Sequence, residues 1–219
     1  MKPASGSKAR YLIVSIAATA LLWLVWREMV RPNLIPKNFG VVAAGKVFRS
    51  GELTPSAMRR VAEKYGVKTV VDLGAYEEGT DGERLQQRTA DVLGLTRYKF
   101  DLEGDGTGNP NSYVLALRLM TDPAKQPILV HCSAGSERTG VLTALYRNIV
   151  EGKSIAEAFG EAREHRHDPA RNPWLLLVLA DWREKIAQAY RSGGQIPGID
   201  PLPEPVPVGK PVPAPTGPR

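Results

Sequence analysis

The stretch His131-Cys132-Ser133-Ala134-Gly135-Ser136-Glu137-Arg138-Thr139-Gly140 sets the chain's one cysteine six positions before an arginine, across a glycine. Ahead of it, Pro127-Ile128-Leu129-Val130 is a short apolar run that reads as a buried strand. Behind it, residues 141–150 space their apolar side chains like a helix packed on one face. The motif therefore spans a turn from strand to helix. Backbone N–H groups converge in such a turn and the helix N-terminus adds partial positive charge, so Ser133, Ala134, Gly135, Ser136, Glu137 and Arg138 are expected to form an anion cradle. That setting favours a thiolate, which makes Cys132 the candidate nucleophile. Arg138 carries a planar fork suited to two phosphoryl oxygens, a task for which lysine is a poor substitute. Attack on phosphorus would form a phosphocysteine and split hydrolysis into two easier steps. Thr139 is placed to hydrogen-bond the sulfur, and His131 is expected to support the loop through a ring-to-backbone bond. The plain alternative is a buried structural cysteine, but the flanks and the other motif positions all agree with one chemistry.

The motif resembles that of the cysteine-based protein tyrosine phosphatase superfamily, in its compact dual-specificity-like branch with bacterial and fungal members. Val47-Phe48-Arg49-Ser50-Gly51, Leu53-Thr54-Pro55 and Val67 to Leu73 extend the likeness, which covers about residues 40 to 190. It implies an α/β fold with a central sheet and metal-free, cofactor-free hydrolysis of phosphomonoesters, with Cys132 and Arg138 as nucleophile and phosphate-gripping arginine. It also implies a general acid on a mobile loop about thirty residues before the cysteine. Thr96 to Phe100 reads as a strand, and the glycines after it as that loop. Asp101 at the strand's end and Asp105 within the flexible stretch are the candidates, with Glu103 third. The aromatic-Pro-Asp signature of the family is absent here, and for each carboxylate a solvated loop residue is the bland reading.

Strand and helix signals alternate elsewhere. Thr54-Pro55 opens a helix that Gly66 closes, a strand follows to Leu73, and Gly82 to Leu93, Ser112 to Met120 and Trp174 to Tyr190 read as helices. Ser154 and Glu157 form a capping-box pattern before a helix running toward His165. The expected architecture is a largely parallel central sheet flanked by helices, preceded by one membrane helix. Tyr11 to Trp26 carries no charge and follows Lys2, Lys8 and Arg10, which predicts a membrane anchor over 11–30 after a basic segment over 1–10. A signal peptide cleaved near Ala18-Thr19-Ala20 is the alternative, and Arg27, Arg31 and Lys37 leave the orientation open. Residues 31–192 remain for one catalytic domain. The proline-rich segment 193–219 is expected to be extended and disordered, with a polyproline-binding partner as its functional reading.

The net charge of +6 is spread along the chain, and no basic-aromatic patch or nucleic-acid motif appears, so nucleic acid is not an expected partner. The run Glu164-His165-Arg166-His167-Asp168 looks like a metal site, but consecutive positions on a helix do not face one centre; it reads as a solvated helix end, with no metal expected. Asp72, Glu77 and Glu78 read as surface carboxylates near the cleft. Relatives that cleave highly phosphorylated inositides tend to carry lysines in the loop, where this chain has Ser133, Ser136 and Glu137. That charge ranks a phosphorylated protein or small phosphomonoester as substrate first and a membrane lipid or inositol phosphate second. A phospho-binding module without turnover is the alternative from another class.

Overall fold

A computed structural model describes residues 6–209. Five short strands, β1 (Gly40–Ala43), β2 (Val47–Ser50), β3 (Thr69–Asp72), β4 (Thr96–Lys99) and β5 (Ile128–His131), form one sheet in the order β1-β2-β5-β3-β4. Strands β2, β5, β3 and β4 run parallel. β1 is antiparallel to β2, because a tight turn with Gly45 at φ 71° joins them and only antiparallel strands can be joined so closely. The sheet is thus mixed rather than purely parallel. Register aligns Ser50 and Asp72 with His131, and Asp72 with Lys99. The four parallel strands therefore end level, with β5 in the middle, which is the edge where open α/β sheets build their sites.

Ile128, Leu129 and Val130 are all fully buried because both faces of the sheet are covered. Val71, Ile128 and Val130 face the larger core, formed with helices α5 (Asn111–Thr121), α6 (Glu137–Leu145), α7 (Ile155–Glu164) and α8 (Trp174–Ser192). Phe48, Val70 and Leu129 face a smaller core under α3 (Pro55–Tyr65) and α4 (Asp81–Val92). The helix starts follow the sequence signals. Thr54 Oγ1 accepts the Ala57 N–H at 3.2 Å, a cap worth about 1 kcal/mol. The Ser154–Glu157 capping box is complete.

The chain begins with α1 (Gly6–Val25), which passes through a π-turn at Trp26–Val30 into the short α2 (Arg31–Leu34). Residues 10–34 have a window of mean hydropathy 1.6, none of it buried in the protein. Part of the expected basic segment and the last ten residues lie outside the described residues.

The expectation of disorder from 193 onward needs correction over 193–209. Ile196 is buried, Ile199 and Leu202 pack against the larger core, and the Asp200 carbonyl accepts from Asn109 Nδ2 at 2.8 Å. Val208 N–H donates to the Arg97 carbonyl at 2.8 Å, on the outer side of edge strand β4. Proline content obscured the spaced isoleucines and leucine that supply a docking face. An extended strap also covers an edge strand that would otherwise be left open.

Candidate active site

The loop from Cys132 to Arg138 links β5 to α6. Cys132 Sγ is buried and accepts the Gly135 N–H at 3.2 Å. The N–H groups turn inward because donors behind the loop draw three successive carbonyls outward. Glu52 N–H takes the Ser133 carbonyl at 3.1 Å. Asn38 Nδ2 takes those of Ala134 at 3.4 Å and Gly135 at 2.9 Å, and Arg49 Nη2 also takes that of Gly135, at 2.8 Å. Position 135 accepts only glycine: φ is 76°, and a Cβ would stand 2.5 Å from Gly51 N. The close approach of the β2 end is what brings Arg49 and Glu52 behind the loop.

Arg49 is wholly buried, donating also to Thr143 Oγ1 at 3.0 Å and facing Glu161 at 3.9 Å. Burial pushes its pKa down to about 10, against the charges of Glu161 and Cys132 that hold it up. Arg138 is fixed by one end of its fork: Nη1 donates to the carbonyls of Leu73 at 3.1 Å, Leu102 at 3.4 Å, and Gly74. Its Nε is buried and has no partner among the described residues. The carbonyls that hold Arg138 are in turn positioned by Asp72, which accepts the Ala75 N–H at 2.8 Å and Arg97 Nη2 at 2.7 Å. Burial works to raise the Asp72 pKa, but His131 and Arg97 outweigh it and hold the carboxyl below its ordinary value. Asp72 is therefore an internal ion-pair partner and not the surface carboxylate the sequence suggested. Glu77 and Glu78 are exposed.

The candidate acids part company. Asp101 is exposed, pairs with Lys99 at 3.1 Å, and lines a cavity of about 660 Å³ between the 202–209 strap and the end of β4. Glu103 is exposed. Asp105 lies on the loop that covers the start of α6: a Cβ on neighbouring Gly106 would be 3.2 Å from Val141 and 3.8 Å from the Arg138 N. Its Oδ1 accepts from Thr107 N at 2.9 Å and Thr107 Oγ1 at 2.7 Å, and its charge reaches both Glu137 and Tyr113. Tyr113 hydroxyl donates to the Gly106 carbonyl at 2.6 Å and so pins this loop. Burial, then the charge of Cys132, pushes the tyrosine pKa well up and keeps it a donor.

Both ring nitrogens of His131 are buried without a partner among the described residues, so the expected ring-to-backbone bond is not formed. Thr139 Oγ1 is likewise buried with no partner there. In the Glu164–Asp168 run, Glu164, Arg166 and Asp168 are solvated as expected, but the two histidines are not. His165 Nδ1 lies 3.2 Å from Asn38 Oδ1, and buried His167 Nδ1 lies 2.8 Å from Glu137 Oε2. Glu137 is thus turned away from the cradle onto a histidine. Burial raises its pKa although His167 pulls the other way. Among the described residues no group of three or more His, Cys, Asp or Glu is placed to hold a metal. The sequence offered Arg49 without a role, read His167 only as part of a solvated run, and did not single out Asn38 or Tyr113. None of these has a local signature.

A family model described as a DSP-PTPase phosphatase fused to NAD+ kinase matches residues 38–172. The chain belongs to the dual-specificity branch of the cysteine-based tyrosine phosphatases. The chain is 29% identical over 140 residues to inositol diphosphatase SIW14 of Saccharomyces cerevisiae, covering 62% of this chain and 48% of that protein. It is 31% identical over 118 residues to inositol diphosphatase DSP3 of Arabidopsis thaliana, covering 52% and 55%. It thus spans about half the length of the curated relatives it matches. Among solved structures, the core catalytic domain of the S. cerevisiae PP-IP phosphatase SIW14 in complex with citrate has a TM-score of 0.56 at 23% identity, covering 71% of this chain and 94% of that one. TpbA of P. aeruginosa gives 0.57 at 19%, covering 71% and 91%. These structures share the fold of this chain.

Proposed function

We propose that this phosphatase hydrolyses a phosphoryl group from a phosphorylated inositol, and that α1 anchors it in a membrane. The observation that carries the chemistry is the cradle itself: Cys132 Sγ at its floor takes a backbone N–H at 3.2 Å, while Arg138 is held through Nη1 with Nε unpaired among the described residues. The Cys132 thiolate attacks phosphorus, the P–O bond to the leaving group breaks, and Asp105 gives that oxygen a proton. Water then attacks phosphorus and yields its proton to Asp105. The P–S bond breaks, releasing inorganic phosphate and restoring the thiolate. Arg138 and the N–H groups of the loop hold the equatorial oxygens throughout.

Two facts favour an inositol substrate and reverse the order expected from the loop's composition. The carboxylate of Glu137 is engaged by His167, so it does not set a free negative charge against a polyanion. Two curated relatives are named as inositol diphosphatases. Anchoring is supported by α1 being uncharged from Tyr11 to Val25 and uncovered there by the rest of the protein, which a core helix never is. The test uses the full chain in detergent, without metal, on p-nitrophenyl phosphate, a phosphotyrosine peptide and soluble inositol phosphates, beside Cys132→Ser. Cysteine-dependent release from inositol phosphates well above that from the peptide is the expected result. The reverse preference rejects the substrate class, and turnover surviving in the serine variant rejects the nucleophile.

A further inference from the structure

The membrane helix is joined to the phosphate loop without a linker. α1 continues through the π-turn into α2, where the Ile35 N–H still closes a helical bond to the Arg31 carbonyl at 2.8 Å. α2 packs on α3, and the Pro32 carbonyl accepts Thr54 Oγ1 at 3.4 Å. Three residues past the helix end, the Lys37 carbonyl takes the Gly51 N–H at 2.8 Å, and Lys37 Nζ binds Glu52 at 2.7 Å. Glu52 is itself bonded to Ser133, both by its N–H at 3.1 Å and through Oε2 to the serine hydroxyl at 3.2 Å. The next residue, Asn38, holds the Gly135 carbonyl. Every residue from 34 to 38 is thus part of either the helix end or the rear wall of the cradle, or lies within a step of one.

These contacts limit the height of the cradle above a bilayer. Charge first returns at Arg27, which stacks over Trp23 with 5.2 Å to the ring centroid, an arrangement suited to the edge of the hydrocarbon. From Glu28 to Leu34 a helix rises about 10 Å. The four residues on to Asn38 reach at most about 14 Å more. The cradle therefore stands no more than about 25 Å from that edge, in a domain about 40 Å across. The same side of the domain is cationic. Arg59, Arg60 and Lys64 are exposed on α3, next to α2 with Arg31. Between them opens a cavity of about 600 Å³ walled by Leu34, Pro36, Phe39, Val61 and Tyr65 and rimmed by Arg60, Lys64 and the one carboxylate of Glu63. An apolar wall beneath a rim that stays net positive with Glu63 counted, beside the end of the apolar helix, complements the surface of an anionic leaflet.

We propose that the bilayer holding α1 also supplies the substrate: a phosphomonoester on the headgroup of a lipid in the adjoining leaflet, presented to a cradle held at fixed height and tilt. This rests on the proposed inositol-phosphatase activity and on the proposed anchor. A fixed cradle favours lipids of its own membrane and gives no advantage on a dissolved headgroup.

The test reconstitutes the full chain in phosphatidylcholine vesicles containing a phosphatidylinositol monophosphate. Its phosphate release is compared with that from soluble inositol bisphosphate and from p-nitrophenyl phosphate. A Gly/Ser insert of about twelve residues between Val30 and Arg31, spanning some 20 Å, frees the cradle from the helix. Lipid turnover should fall about tenfold or more while p-nitrophenyl phosphate turnover is kept. Equal lipid turnover with and without the insert overturns the proposal. A second measurement needs no variant: protein in substrate-free vesicles is mixed with separate substrate vesicles. Release should be at least tenfold slower than when both share one bilayer, and equal rates overturn the proposal whatever the insert does. Turnover of soluble inositol bisphosphate with none of the lipid also overturns it, yet leaves the inositol-phosphatase reading standing. No turnover of either inositol substrate, with p-nitrophenyl phosphate still cleaved, rejects that reading instead.

Discussion

Replacing Arg49 by methionine separates the shape of the phosphate loop from the stability of the fold. Burial lowers the Arg49 pKa to about 10, so the fold carries this charge at a cost of about 3 kcal/mol. Against that stand two charge-assisted hydrogen bonds, to Thr143 Oγ1 and to the Gly135 carbonyl, each worth about 1.5–3 kcal/mol. Methionine fills most of the same space, and no partner is left bare. Thr143 keeps the Gly140 carbonyl at 3.2 Å, Gly135 keeps Asn38 at 2.9 Å, and Glu161 keeps Arg147 at 2.6 Å. Gains and losses nearly cancel, and stability should move by no more than about 2 kcal/mol, a shift in Tm of about 4–8 °C at most. The loop loses one of the two grips that turn the Gly135 carbonyl outward and its N–H onto Sγ. If that grip acts fully in the transition state, its loss of about 1.5–3 kcal/mol lowers kcat/KM by about 10- to 150-fold. Thermal unfolding and p-nitrophenyl phosphate hydrolysis on one preparation decide the matter. A kcat/KM within twofold of the parent refutes the role of Arg49 in shaping the loop, and a collapse in Tm beyond about 15 °C refutes the energetic balance.

Asp105→Asn should slow hydrolysis of substrates with poor leaving groups by about 100-fold while leaving p-nitrophenyl phosphate less affected, and Asp101→Asn should leave both near the parent; a larger effect from Asp101 in steady-state kinetics reverses the assignment. Glu137 titrates higher in the folded chain than in the unfolded one, because burial disfavours its charge. The folded state therefore binds more protons in the window just above the ordinary carboxylate pKa, and stability falls as pH rises through it. Glu137→Gln should flatten that part of a Tm-against-pH profile, and an unchanged slope excludes Glu137 as its source. Asp72→Asn breaks a buried pair with Arg97 and should cost about 3–5 kcal/mol, a Tm drop of about 6–20 °C, with kcat/KM falling as the 73–74 carbonyls release Arg138; an unchanged Tm and an unchanged kcat/KM reject that chain of support.

What was legible in the sequence is what is local. The strand Ile128–His131, the turn after it and the helix from Glu137 are consecutive, so hydrophobic period, one glycine and a Cys-to-Arg spacing suffice to place them. The caps at Thr54 and Ser154 are read within four residues. What was not legible depends on partners far along the chain. Asn38 meets Gly135 across 97 positions, Arg49 meets it across 86, and His167 meets Glu137 across 30. No periodicity marks such pairs, and residue type alone assigns Asp72 and His167 to solvent, where such groups usually belong, and sets Glu137 in the cradle instead of against His167. The strap escaped for a related reason: prolines dominate the composition of 193–209, while its attachment rests on Ile196, Ile199 and Leu202.

The remote partners share a cause in the topology. β2 lies beside β5 in the sheet, so the residues just past β2, Gly51 and Glu52, are delivered directly behind the loop that leaves β5. β3 flanks β5 on the other side, and the turn after it delivers the carbonyls that hold Arg138. The cradle is therefore gripped on one side by the end of β2 and on the other by the turn after β3, while its own strand supplies only the nucleophile. Because the grip on the β2 side includes Lys37 and Asn38, directly downstream of the apolar helix, the same parallel packing that shapes the cradle also fixes it to α1. A flexible joint there would cost the loop two of its rear contacts. The position of the segment just past α2 and the shape of the loop are therefore mechanically dependent.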